Sequence, residues 1–122
     1  MKVTVAKTAG FCFGVKRAVD MVEEALARGT PLVTLGPLIH NPQRVARFAD
    51  QGVKVIDGLD ETPPGATVVL RTHGVGKKIY ERLREGNIPF IDATCPFVTK
   101  LHRIGEESVR QGRTVLIAGD AN

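Results

Sequence analysis

Thr67-Val68-Val69-Leu70-Arg71-Thr72-His73-Gly74-Val75-Gly76 runs from a continuous apolar segment into a glycine-bearing loop, and Lys77-Lys78-Ile79-Tyr80-Glu81-Arg82-Leu83 follows at helical spacing. A short apolar run ended by turn residues reads as a buried strand. The helix, over about 77–85, would bury Ile79 and Leu83. The same strand-to-helix step recurs along the chain. Residues 32–35 form another apolar run, and Asn41-Pro42 starts a helix, because asparagine caps free N–H groups and proline fits the first turn. There Val45, Phe48 and Ala49 are the expected buried stripe, with Gly52 as the stop. Val15, Ala18, Val19, Val22, Ala25 and Leu26 give an apolar face to a helix that ends near Gly29. Further strands are expected at 2–6, 53–56, 88–91 and 115–118, and a last helix from Pro96 to about 111. This alternation implies an α/β fold of parallel-sheet β-α units with right-handed crossovers.

Composition limits the function. The chain has 122 residues, 43% hydrophobic and 25% charged, which is ordinary for a globular domain. No apolar run approaches the roughly 20 residues needed to cross a bilayer, so no membrane is expected as a partner. The opening Met1-Lys2-Val3-Thr4-Val5-Ala6-Lys7 is too short and polar for a secretory signal, and a cytoplasmic location is the default expectation. A net charge of +4 suits an anionic small molecule as well as nucleic acid. Aromatic residues make up only 5% and tryptophan is absent. Single-strand binders set stacking platforms among their basic residues, so nucleic acid is not expected either.

The residues able to do chemistry lie at strand ends. Cys12 sits in Gly10-Phe11-Cys12-Phe13-Gly14 and Cys95 in Thr94-Cys95-Pro96, each just before a helix. His40 and His73 occupy loops of the same kind. In a parallel sheet the strand C-terminal ends share one edge, and ligands bind outside it. Helix N-termini gather free N–H groups that suit a thiolate, the form of cysteine that binds iron or zinc. They suit phosphate equally well, and imidazole can donate to it. Cys12 reads as a metal ligand, a reactive thiol or a small buried apolar group. Cys95 reads as a ligand or as part of a helix cap. His102, mid-helix between Leu101 and Arg103, is expected to be structural or exposed. Gly74-Val75-Gly76-Lys77-Lys78 lacks the GxxxxGK[ST] spacing and residues 10–14 lack GxGxxG, so neither nucleotide motif is present. Two cysteines without a CxxC pair make no disulfide framework.

Ala9-Gly10-Phe11-Cys12-Phe13-Gly14-Val15, Leu35-Gly36-Pro37-Leu38-Ile39-His40-Asn41, Arg71-Thr72-His73-Gly74-Val75 and Asp92-Ala93-Thr94-Cys95-Pro96 occur in this order. Together they resemble the 4-hydroxy-3-methylbut-2-enyl diphosphate reductase family, which completes the methylerythritol phosphate route to isoprenoids. The resemblance covers the front portion of the usual family length. It implies a three-lobed trefoil enzyme around a [4Fe-4S] cluster held by three cysteines. Carried over, Cys12 and Cys95 would be two metal ligands, and His40 and His73 would bind the substrate diphosphate. Residues 1–13 would be a leading strand and cluster loop, 14–95 the first α/β lobe, and 96–122 the start of the second lobe. The implied reaction is reductive dehydroxylation to isopentenyl and dimethylallyl diphosphate, with ferredoxin or flavodoxin as electron donor. The proton-delivering glutamate is expected after Asn122, so the catalytic residue is unknown within this sequence. The third cysteine is absent, and the 122-residue chain alone is expected to be inactive.

Two other readings stand beside this one. Cys12, His40, His73 and Cys95 make a zinc inventory. His40, His73 and the helix starts alone would make a phosphate-binding α/β module without redox catalysis.

Overall fold

The computed structural model describes residues 1–119; the closing Asp120-Ala121-Asn122 lie outside the described residues. The elements are α1 (Phe13–Ala27), β1 (Leu32–Leu35), α2 (Pro42–Asp50), β2 (Lys54–Ile56), a 3-10 turn (Leu59–Glu61), β3 (Thr67–Leu70), α3 (Lys77–Glu85), β4 (Phe90–Asp92) and α4 (Pro96–Arg110). The strands form one sheet in the order β2-β1-β3-β4, and every pairing is parallel. The α/β architecture expected from the alternation is the one observed.

Each boundary has a local cause. The Asn41 side chain accepts from the Arg44 N–H at 2.8 Å, and Pro42 fills the first turn of α2. Past α1, the chain turns at Gly29, where the Thr30 N–H reaches back to the Ala25 carbonyl at 3.1 Å.

Side chains divide into two layers around the sheet. One layer joins α1 (Ala18, Val19, Val22, Ala25) and α2 (Phe48) to Leu32, Val53 and Val69. The other joins α3 (Leu83) and the 3-10 turn (Leu59) to Val33, Leu35, Val68 and Leu70. Val68, Val69 and Leu70 are completely buried, as a strand covered on both faces should be. In α2 only Phe48 is buried; Val45 packs partly and Ala49 is exposed, contrary to expectation. A nine-residue helix meets the sheet along a narrow stripe, and Phe48 fills it.

Two expected strands do not form. Residues 2–6 carry no strand pairing, with Val3 74% and Val5 75% exposed. Residues 115–118 likewise carry none, with Leu116 91% and Ile117 93% exposed. Alternating or apolar sequence makes a segment suitable for a sheet, but a strand exists only where a neighbour takes its N–H and C=O groups. Among the described residues neither segment has such a neighbour. α4 is also uncovered: it has no buried residue, and Phe97, Leu101 and Ile104 stand exposed.

Candidate functional site

The sheet register sets the site. Leu35 pairs with Leu70, and Leu70 with Asp92, so β1, β3 and β4 end level with one another. α2, which follows β1, packs in one layer, whereas α3, which follows β3, packs in the other. Chain direction therefore switches sides between two neighbouring strands, and a crevice opens between their loops. His40 lies on the first loop and His73 on the second.

Both loops are tied down. Leu38 and Ile39 are buried in the core at 1% and 2% exposure, which anchors the loop just before His40. The Leu38 carbonyl accepts from the Thr72 N–H and the Thr72 hydroxyl, each at 3.2 Å. The Thr72 carbonyl in turn accepts from the Cys95 N–H at 2.9 Å. Backbone pairing thus continues past the strand ends and links the His40 loop, the His73 loop and the Cys95 turn. Thr72→Val should remove only the hydroxyl bond. We expect the unfolding free energy to fall by about 1 kcal/mol, measured by urea denaturation.

The His40 and His73 rings lie 4.5 Å apart between centroids, tilted by 41°. Burial, reinforced by the nearby His40 and Arg71, lowers the His73 pKa below the usual imidazole value. Two imidazoles this close repel when both are charged, and an anion between or beside them removes that penalty. His73 also lines a cavity of about 790 Å3 with Arg71, Gly74, Lys77 and His102. Neither Arg71 nor Lys77 makes an ion pair among the described residues.

The cysteines occupy equivalent places. Cys12 is the N-cap residue of α1 and Cys95 that of α4, and neither side chain makes a capping hydrogen bond. Both thiols are free; Cys12 is exposed and Cys95 half-buried. Cys95 lies against the first turn of α1. A Cβ placed on Gly14 would meet the Cys95 Sγ at 2.6 Å and its Cβ at 3.1 Å. The Cys95 sulfur therefore rests against a residue two positions along the chain from Cys12. The Arg17 guanidinium strengthens the contact by donating to the Thr94 carbonyl at 3.3 Å.

Two features escaped the sequence. His102 is exposed, yet it packs over Gly74: a Cβ there would lie 3.1 Å from His102 Cε1 and 3.1 Å from Thr94 Cγ2. Gly74 has φ +75°, so both its conformation and its crowding favour glycine. The second is Asp92. Its carboxylate accepts from the Thr94 N–H at 3.0 Å, from the Thr94 hydroxyl, and from the Tyr80 hydroxyl at 2.9 Å. Burial opposes the charge, but the Thr94 and Tyr80 hydrogen bonds, with Arg17 nearby, hold the Asp92 pKa below its ordinary value.

Among the described residues no three His, Cys, Asp or Glu side chains gather closely enough to hold a metal ion. The zinc set of Cys12, His40, His73 and Cys95 is therefore not assembled. Two thiols at helix N-termini, one seated on a glycine, do fit as two of the thiolates that iron–sulfur clusters require. No third cysteine ligand is present in the sequence. Among the described residues no helix is long and apolar enough to cross a membrane.

Fold and site define a parallel α/β unit that offers thiols and imidazoles at one sheet edge. Residues 3–122 match the family described as LytB protein, and the chain belongs to that family. It is 47% identical to the 4-hydroxy-3-methylbut-2-enyl diphosphate reductase of Anaeromyxobacter sp. (strain K), covering 100% of this chain and 44% of that protein. It is 44% identical to the reductase of the same name from Caldanaerobacter subterraneus subsp. tengcongensis, with the same coverage. A solved structure of (E)-4-hydroxy-3-methyl-but-2-enyl diphosphate reductase superposes with a TM-score of 0.82 at 42% identity, over 98% of this chain and 43% of that one. The Plasmodium falciparum reductase superposes with a TM-score of 0.79 at 31% identity, over 86% and 33%. The chain thus spans less than half the length of the curated relatives it matches.

Proposed function

We propose that this chain is the substrate-anchoring and part of the cluster-holding portion of a 4-hydroxy-3-methylbut-2-enyl diphosphate reductase. The observation that carries the reading is the seating of the Cys95 sulfur on Gly14, in the first turn of the helix that Cys12 caps, at the sheet edge that also bears the paired His40 and His73. Cys12 and Cys95 are two thiolate ligands of a [4Fe-4S] cluster, which when bound supplies electrons. Residues 14–95 form the first lobe and 96–122 open the second, with residues 1–13 leading into the cluster loop. The protein works in the cytoplasm, without nucleic acid or membrane, and takes electrons from a ferredoxin or flavodoxin.

In the reaction, two electrons and two protons enter the substrate. The allylic carbon–oxygen bond breaks, a carbon–hydrogen bond forms, and the oxygen leaves as water. The products are isopentenyl and dimethylallyl diphosphate. This chain's residues bind and orient. His40 and His73 donate to the diphosphate, assisted by the Arg71 and Lys77 charges. Holding the diphosphate remote from the reacting carbon fixes where the hydroxyl lies, and positioning alone lowers a barrier. The test is an anaerobic assay of a protein of full family length carrying this sequence, with a chemical reductant and parallel iron and sulfide analysis. Brown protein that turns over the substrate is the expected result; colourless protein that binds diphosphate without turnover would leave only the phosphate-binding module.

His73→Ala should weaken diphosphate binding by about 1–3 kcal/mol through loss of a charge-assisted hydrogen bond. Its pH dependence has a definite sign. The His73 pKa is lowered in the free protein by burial, then by His40 and Arg71, and a bound anion raises it. Binding therefore takes up a proton. The His73 contribution is lost as pH rises through the bound-state pKa and grows as pH falls toward the lowered free-state value. Calorimetric affinity profiles of wild type and His73→Ala should differ most below the usual imidazole pKa of about 6.5. Their difference cancels the titration of the ligand itself.

A further inference from the structure

We propose that Tyr80 and Asp92 are positioning residues that set where the Cys95 sulfur lies. The inference rests on the reading of Cys95 as a cluster ligand, but its geometry stands alone. Asp92 ends β4 three positions before Cys95. One carboxylate oxygen accepts both the N–H and the hydroxyl of Thr94, the residue immediately before the cysteine. The other accepts from the Tyr80 hydroxyl at 2.9 Å. With both oxygens engaged from different directions, the carboxylate cannot turn without losing a partner.

Tyr80 is itself held. It lies on α3, packed partly against the layer across the sheet from α1. Its ring meets Phe90 edge-on at 6.1 Å, and the Arg84 guanidinium covers it at 6.0 Å. The Cys95 turn is thus gripped from both sides of the sheet. Arg17 of α1 holds the Thr94 carbonyl, and Tyr80 of α3, through Asp92, holds the Thr94 N–H and hydroxyl. The Thr94 methyl completes the grip by packing at the Gly74 position beside His102. Thr94 can then neither slide nor rotate, and the direction in which the chain enters Cys95 is fixed. A ligand sulfur held this way needs little ordering when iron binds, which is how outer partners strengthen a metal site.

The test uses a full-length protein in two states. Isolated without iron, it is treated with iodoacetamide, and alkylation of Cys95 is read against Cys12 by mass spectrometry. Tyr80→Phe keeps the ring packing and removes one hydrogen bond. It should raise the Cys95-to-Cys12 ratio about fivefold, the factor that loss of one ordinary hydrogen bond produces. Asp92→Ala should raise it further. Asp92→Asn keeps an acceptor toward Thr94 and a polar partner for Tyr80, so it should return the ratio to within about twofold of wild type, a difference smaller than one hydrogen bond. In iron-loaded protein, Tyr80→Phe should lose iron to a chelator about fivefold faster. An unchanged ratio, an equal rise at both cysteines, or failure of Asp92→Asn to rescue would each overturn the clamp. If the wild-type protein takes up no iron, the ligand reading fails instead, and the alkylation ratio still decides the clamp.

Discussion

Cys95→Ser should leave the fold intact and abolish the iron–sulfur centre. The two side chains differ by one atom, and none of the hydrogen bonds that hold the turn uses the thiol. The Cys95 N–H bond to the Thr72 carbonyl survives, as does the Arg17 bond to the Thr94 carbonyl. Residue 95 is the N-cap of α4, where the thiol makes no capping bond. Serine is a preferred N-cap residue and cysteine is not, so the variant should be as stable as wild type or slightly more stable. A hydroxyl, however, is a poor substitute for a soft thiolate toward iron. Changes outside the ligand shell already cost about 10- to 100-fold in metal affinity or activity, so loss of a ligand should cost more than about 100-fold in turnover. Iron analysis, anaerobic turnover and thermal unfolding on one preparation separate the effects. The same contrast is expected for Cys12→Ser, because Cys12 is the uncapped N-cap of α1. Full iron content and turnover in Cys95→Ser would remove this residue from the site.

The sequence made some of this architecture legible and hid the rest for physical reasons. Strands β1 to β4 and the helices that follow β1, β3 and β4 could be read because local pattern and turn residues agree there. Cys95, His40 and His73 could be found because each lies where a strand gives way to a helix, and Cys12 because it starts a helix, although the strand expected before it does not form. The segments at 2–6 and 115–118 show the limit. Their pattern suits strands, yet pairing depends on a partner far away in sequence or outside it. Strand order is likewise non-local. Nothing near His40 says that β1 lies beside β3, and only that adjacency brings the imidazoles to 4.5 Å. His102, expected to be structural or exposed, is exposed; that it also packs over Gly74 depends on the approach of α4 and not on its own helix pattern. Nothing in the helix pattern around Tyr80 shows that its hydroxyl reaches Asp92 across a boundary between elements.

Gly14→Ala should separate stability from function without altering either cysteine. Gly14 is buried inside the first turn of α1, where glycine is a poor helix residue. Alanine in a helix interior is better by about 0.8–1.0 kcal/mol, so intrinsic propensity favours the replacement. The added methyl, however, would lie 2.6 Å from the Cys95 Sγ and 3.1 Å from its Cβ. Contacts of that length are not tolerated, so one partner must move. The helix is fixed by Ala18, Val19 and Val22 in the core. The sulfur is the end of a short side chain at the half-buried start of α4, a helix with no buried residue. The sulfur should therefore yield, by rotation about the Cys95 side chain. Displacement of about 1 Å can cost about 100-fold in rate when geometry is critical. We expect Gly14→Ala to keep a thermal midpoint near that of wild type, to lose most of its iron, and to turn over about 100-fold more slowly. An iron-replete, fully active Gly14→Ala protein would show that the sulfur is not held against α1, and the convergence of the two cysteines would lose its structural basis.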